Sequence, residues 1–511
     1  MELPDILKVG VLKRPVNQSC ETTILQPTTF SESQCKFVLE NQGILDSNSQ
    51  LHLAQIVVNS NAATTETNSF NISNVGAAAC IRNARLTIGG KEVSNLQEVG
   101  NYFTWKRLHY SNEYRKGVAM PKMGGDDVFM GSAGIVDGTP SADAIRRRGF
   151  LPPSGTIGRE SSEYAVQDTT ALASYGSQRT AATQYETAPK RLISYDPLKT
   201  PAFTLTLGTI IPALQGIQLP LFAIREEVAI IIEWAPRTWG HRFQFNPFDA
   251  AGNAVNKTLL TSSMVEDQTF LILDTLYYPD LMADVKEQID SRGGFSVGFE
   301  DVITQENYVK YTESNGTETH DFQLPLAQKR VKRVIVQKAQ ELDAATEALP
   351  MARYNSEALR LGEEYNFKVD SQNVYSLPLK NMGLIRNEAD NSEGVPLVVN
   401  QALFCFDNQA DATGNIPADI DYNITRRVAM NHIQYNEAGY SFWKALSLTN
   451  AFGQGYLMSN QPMVYTEKTQ LTQYDTGTGA PGARTSERSV RFFVVYQKVM
   501  NINSGLVEVI S

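Results

Sequence analysis

The chain has 511 residues, 42% hydrophobic and 20% charged, a balance that belongs to folded globular proteins and excludes a disordered or low-complexity chain. At about 100 to 200 residues per domain the length allows two to four domains, or two large β ones. With 45 Lys and Arg against 55 Asp and Glu the net charge is -10, which disfavours a protein that coats nucleic acid through its whole surface, because phosphate needs net or clustered positive charge.

At the N-terminus Glu2, Pro4 and Asp5 stand where a secretory signal would carry basic residues and an apolar core, so no signal peptide is expected. Gln50 to Val58 is short and rich in β-branched residues, as a strand should be. Ala84 to Val93 reads as a hairpin, with Gly89-Gly90 supplying the positive φ of a tight turn. The spacing of Leu96, Val99, Phe103 and Tyr110 predicts a helix over Asn95 to Lys116, with Asn95 and Glu98 forming a start like a capping box. From Pro121 to Lys190 the sequence turns to Gly, Ser, Thr, Ala and Arg without periodicity and predicts a long loop that faces outward or clasps a neighbouring subunit.

Further strands are expected at Ala202 to Leu207, Val228 to Trp234, Thr269 to Tyr278, Gly294 to Phe299, Val331 to Gln337, Leu397 to Phe406 and Val490 to Val499. The most apolar stretch, Val228 to Ala235, contains Glu233 and is far shorter than the roughly 20 residues of a bilayer span, so a soluble chain with no membrane span is expected. Asp407 to Asp421 and Thr472 to Ser486 read as shorter polar loops. Many strands, few helices and long loops point to a sandwich or jelly roll.

Little in the chain carries chemistry. His52, His109, His241, His320 and His432 show no metal-ligand spacing, and no P-loop or nucleophile-elbow motif occurs. Gly477 to Gly482 satisfies GxGxxG, but no strand precedes it and Pro481 opens no helix, so it reads as a flexible loop. Asp407 to Gly414 lacks the glycine and closing glutamate of a calcium loop. Glu226 and Glu227 are adjacent in an extended segment, so they point to opposite faces and cannot act as an acid/base pair. Cys20, Cys35, Cys80 and Cys405 are scattered without CxxC spacing and are expected to be buried thiols of a reducing compartment. No catalytic residue, cofactor or metal is expected.

Two basic runs stand out, Arg146 to Arg148 inside the long loop and Lys329-Arg330-Val331-Lys332-Arg333 leading into a strand. Alternation along a strand puts Lys329 and Arg333 on one face and Arg330 and Lys332 on the other, so at least one set is expected to meet solvent, an acidic neighbour or the interior of an assembly. Direct nucleic-acid binding is disfavoured by the acidic chain.

Several segments together resemble a family: the hairpin and helix of Ala84 to Lys116, Gly208 to Phe222 (GTIIPALQGIQLPLF) running into Glu227 to Ala235, Phe270 to Tyr278 (FLILDTLYY), Gln323 to Val336 (QLPLAQKRVKRVIV) and Ser376 to Val398 with Pro378, Gly383 and Pro396. Their order is similar to that of the double jelly-roll major capsid proteins of virophages and Polinton-like viruses, within the adenovirus-hexon-like lineage. The resemblance implies an all-β chain of two consecutive jelly-roll barrels with long loop insertions and a few short helices, the first domain spanning 1–285 with its insertion at about 121–190 and the second 286–511. It implies a homotrimer forming a pseudo-hexameric capsomer of an icosahedral DNA-virus shell, assembled inside the host cell beside penton and minor capsid proteins, with Lys329, Arg330, Lys332 and Arg333 at an interface or facing the interior. Another virion structural or receptor-binding protein is the alternative. A carbohydrate-binding or carbohydrate-active β-sandwich would show clustered Trp and paired acids, whereas Trp105, Trp234, Trp239 and Trp443 are dispersed.

Overall fold

In the computed structural model the described residues are 19–54, 56–59, 70–71, 76–108, 202–215, 217–237, 242, 244–245, 261–264, 268–312, 316–340, 364–380, 444–450, 454–471 and 487–510. The loops expected at 121–190, 407–421 and 472–486, the strand at 397–406, Arg146 to Arg148 and the glycine motif 477–482 lie outside the described residues.

Eight principal strands build the first half: β1 (Ser19–Leu25), β2 (Gln34–Leu39), β3 (Gln50–Leu53), β4 (Ile81–Ile88), β5 (Lys91–Gln97), β6 (Phe203–Thr206), β7 (Val228–Trp234) and β8 (Phe270–Tyr277). They pair antiparallel in two sheets, β1-β8-β3-β6 and β2-β7-β4-β5. The second half repeats this with β9 (Phe295–Lys310), β10 (Gly316–Leu324), β11 (Arg330–Gln340), β12 (Glu364–Val369), β13 (Gln372–Asn373), β14 (Lys444–Ser447), β15 (Met463–Leu471) and β16 (Glu487–Asn503). Its sheets run β9-β16-β11-β14 and β10-β15-β12-β13, the first pattern with eight added to every label. Among the described residues no strand of one half pairs with a strand of the other, and the helix Pro279–Arg292 links them.

Alternation explains most of these strands. In β2 the buried residues are Cys35, Phe37 and Leu39, and in β4 Ala84, Leu86 and Ile88 follow the same period, so each half closes a core between its two sheets. The β4–β5 hairpin turns at Gly89 and Gly90 with φ of 59° and 76°, as the sequence predicts. The strand expected over Gln50 to Val58 is instead two, because the chain leaves the sheet after Leu53 and Ile56–Asn59 pairs with Thr261–Met264 in a separate ribbon.

Two helix readings need correction. Asn95 lies in β5, and Glu98, at φ 53°, breaks the chain away from it, so helix α1 (Val99–Leu108) starts later than a capping box would place it. Residues 109–116 lie outside the described residues. Helix α2 (Pro279–Arg292) went unforeseen although it carries full punctuation: Pro279 at its first position, Asp280 in its first turn and Gly293 left-handed at its end.

The second half differs in strand length. β9 has 16 residues and β16 has 17, enough to extend beyond their own barrel and form a wall against the first half. In β16 Val490 and Phe492 to Tyr496 are all buried, because the sheet is covered on both faces. Phe492 packs on Phe322 and Tyr465 of the second half, whereas Phe493 meets Tyr102 of α1.

Candidate functional site: the basic run and the seam between the halves

The basic run sits where β11 enters the doubly covered sheet. β11 pairs Val331 with Tyr496 and Arg333 with Val495, so Lys332 is the extra residue of a β-bulge. The bulge cancels the alternation expected from sequence: Lys332 and Arg333 both turn to Glu300 of β9, Lys332 at 2.5 Å, and both are buried. The displaced Lys332 carbonyl is taken up by Leu448 N at 2.7 Å and Thr449 Oγ1 at 3.2 Å. Lys329 is half-buried, its ammonium 4.9 Å above the Tyr496 ring, and burial together with nearby Lys498 pulls its pKa down. Arg330 alone of the four is exposed.

Polar contacts stitch the halves together beside this run. Asp301 of β9 accepts Ser94 Oγ at 2.8 Å and Lys498 Nζ at 2.6 Å, and the same lysine donates to Val93 O at 3.1 Å. Thr304 Oγ1 donates to Gln97 O at 3.2 Å. At the far end, Arg225 N donates to Gly505 O at 2.8 Å. Val507 N of the terminal strand β17 (Leu506–Ile510) donates to Glu226 at 2.8 Å, and Lys91 Nζ donates to Val507 O at 3.2 Å. Glu227 turns away to Lys36, as expected of adjacent extended residues.

Inside the second barrel Glu467 is buried between Lys338 at 2.8 Å and Lys444 at 2.7 Å and also accepts Tyr465 OH at 2.6 Å. Burial alone would raise its carboxyl, but the two ammonium groups outweigh burial and hold it well below the ordinary range. Lys338 and Arg488 both lie over the Tyr311 ring, at 5.0 and 5.2 Å. Sequence reasoning missed Glu467, Asp301 and Glu300, since an acid in an alternating strand reads as solvent-facing. The available signal was Lys338, a cation that follows the apolar run Val334 to Val336 within β11.

These groups bind elements together. Glu300, Asp301 and Glu467 are each committed to cations, and burial raises the thiols of Cys35 and Cys80, Cys80 to about 12, so neither is a ready nucleophile. Cys20, expected to be buried, is exposed on β1. His52 stacks on Phe270 with ring centroids 4.4 Å apart, and His320 lies 3.3 Å from Glu318; the other three histidines and Cys405 lie outside the described residues. Among the described residues no three potential ligands cluster as a metal site, and no helix is long and apolar enough to cross a membrane.

No family model and no curated protein matches the sequence. Solved structures do match. The cryo-EM structure of the Sputnik virophage aligns with a TM-score of 0.55 and 11% identity over 96% of this chain and 88% of its own. PBCV-1 VP54, fitted into a cryo-EM reconstruction of the virophage Sputnik, aligns with a TM-score of 0.51 and 9% identity over 98% of both chains, and the PBCV-1 virus capsid aligns with a TM-score of 0.51 and 10% identity over 98% of both chains. This chain is a double jelly roll. Each half of the double jelly roll holds one barrel of two sheets, and the seam described above joins the barrels. In these terms the basic run lies at the start of the third sheet strand of the second barrel, against the seam.

Proposed function

We propose that this chain is a viral major capsid protein whose work is geometric rather than catalytic: three copies associate as a pseudo-hexameric capsomer that tiles an icosahedral shell in the virion. The observation that carries the reading is the alignment of nearly the whole chain with PBCV-1 VP54 and with the PBCV-1 virus capsid. The doubly buried β16 supports it, since a wall covered on both faces fixes the barrels as one rigid tile. The domain division falls at α2, giving 1–285 and 286–511. Penton and minor capsid proteins complete the shell, and assembly takes place inside the host cell. Within the basic run, Arg330 is the residue assigned to a neighbouring protein, because Lys332 and Arg333 are already held by Glu300.

Light scattering on the purified chain, followed by electron microscopy of its assemblies, tests this. A mass of three chains and pseudo-hexagonal particles is the expected result, and a stable single chain at micromolar concentration overturns it.

A further inference from the structure

The two barrels are unequally covered, and the difference falls on matching strands. β1 and β9 hold the same position in their sheets, as do β5 and β13. The turns before β5 and β13 also match, with positive φ at Gly89 and Gly90 in one and at Asp370 and Ser371 in the other. Within the chain, β5 of the first barrel lies against β9 of the second: Ser94 bonds Asp301, Gln97 accepts Thr304, and Val93, Ser94 and Leu96 are buried.

Among the described residues, the counterparts of that pair have no cover. Along β1, residues Ser19 to Ile24 are exposed, Ile24 by 65%, and among the described residues no backbone hydrogen bond leaves its outer edge. The strand has an unbroken register with β8 and, apart from Glu21, carries no charge, proline or bulge, the devices that usually protect a free edge. Beyond β13, Ser376 to Pro378 are exposed, Leu377 by 77%. One uncovered face lies on the first barrel and the other on the second, as a head-to-tail interface between copies requires.

We propose that β1 of one copy docks against the 372–378 segment of the next, repeating between chains the contact that β9 and β5 make within one. This rests on the trimer reading above and deepens it by naming the surfaces. Ile24 and Leu377 supply apolar anchors, and alternating the internal and external contact around a ring places barrels of both kinds in turn.

The test compares the wild-type chain with Ile24→Asp and Leu377→Asp by light scattering. Each variant is expected to fall from three chains to one with an unchanged thermal midpoint, since both side chains are exposed. A three-chain wild type whose variants both remain three-chain overturns the docking surface and leaves the trimer standing, whereas a single-chain wild type overturns both. If the charged variants unfold, the milder Ile24→Ser and Leu377→Ser decide by the same measurement: loss of the three-chain form is expected, and a folded, three-chain protein in both overturns the proposal.

Discussion

Phe492 and Phe493 are neighbours in β16 and belong to different compartments: the ring of Phe492 lies 5.5 Å from Tyr465 inside the second barrel, and that of Phe493 lies 5.4 Å from Tyr102 of the first. One strand therefore serves as core for its own barrel and as floor for the other.

Truncating either ring separates those two roles. Phe492→Ala opens a cavity in one barrel and Phe493→Ala one in the seam, each costing about 3–5 kcal/mol by denaturant unfolding. Hydrogen exchange should place the first loss around β10 and β15 and the second around α1. Identical exchange maps would show that the seam and barrel are one cooperative core.

Glu467→Gln removes the carboxylate that Lys338 and Lys444 share and leaves two buried ammonium groups facing a neutral amide. The expected loss is about 3–5 kcal/mol, read as a fall in urea midpoint at pH 7. A change below about 1 kcal/mol would mean that other groups neutralise the lysines.

The same carboxylate sets a pH dependence. Its folded pKa lies below the ordinary value of 4.5, so its contribution to stability is complete above that value and is lost as pH falls toward the folded one. Thermal midpoints of the wild type should drop across this acid range more steeply than those of Glu467→Gln. Parallel profiles would remove Glu467 as the cause.

Cations of the basic run should separate by burial. Glu300→Gln leaves Lys332 and Arg333 without their shared carboxylate and lowers stability. Arg330→Gln should leave the melting curve unchanged while weakening particle assembly, most at low salt. Assembly equal to wild type at every salt concentration returns Arg330 to an ordinary solvated side chain.

Gly89 and Gly90 both have positive φ, yet only Gly89 is hemmed in: a Cβ there would stand 2.2 Å from Glu226 Oε1, whereas Gly90 faces open space. Gly90→Ala should cost about 1 kcal/mol from backbone conformation. Gly89→Ala should cost more and also displace Glu226 from Val507 N, seen as faster amide exchange in β17. Equal effects would show that Glu226 moves aside freely.

How much of this was legible in the sequence follows from how each strand is buried. Val228 to Trp234 is apolar but for Glu233, and it forms β7 where expected. Gly89-Gly90 announced its own turn. β9 was legible only in its first residues, because the rest alternates polar side chains whose partners, such as Gln97 and Arg491, come from elsewhere in the chain. The basic run was found but misoriented, since a bulge depends on pairing with β16, which local alternation does not report. Glu467 and Asp301 stayed hidden for a related reason: their lysines are near in space and far in sequence.

The doubly covered β16 has a consequence for the order of synthesis. β16 leaves the ribosome after both strands it joins, β9 and β11, have been made, and it pairs Phe295 with Ile502, more than 200 residues apart. Until β16 emerges, the apolar residues of β9, β11 and α1 that it will cover have no lid. The first barrel can close as soon as β8 is translated, but the second barrel and the seam must form together at the end, a long-range closure that is slow and exposed to aggregation. A host supplying chaperones at that late step would raise the yield of folded chain more than one acting on the early nascent segment.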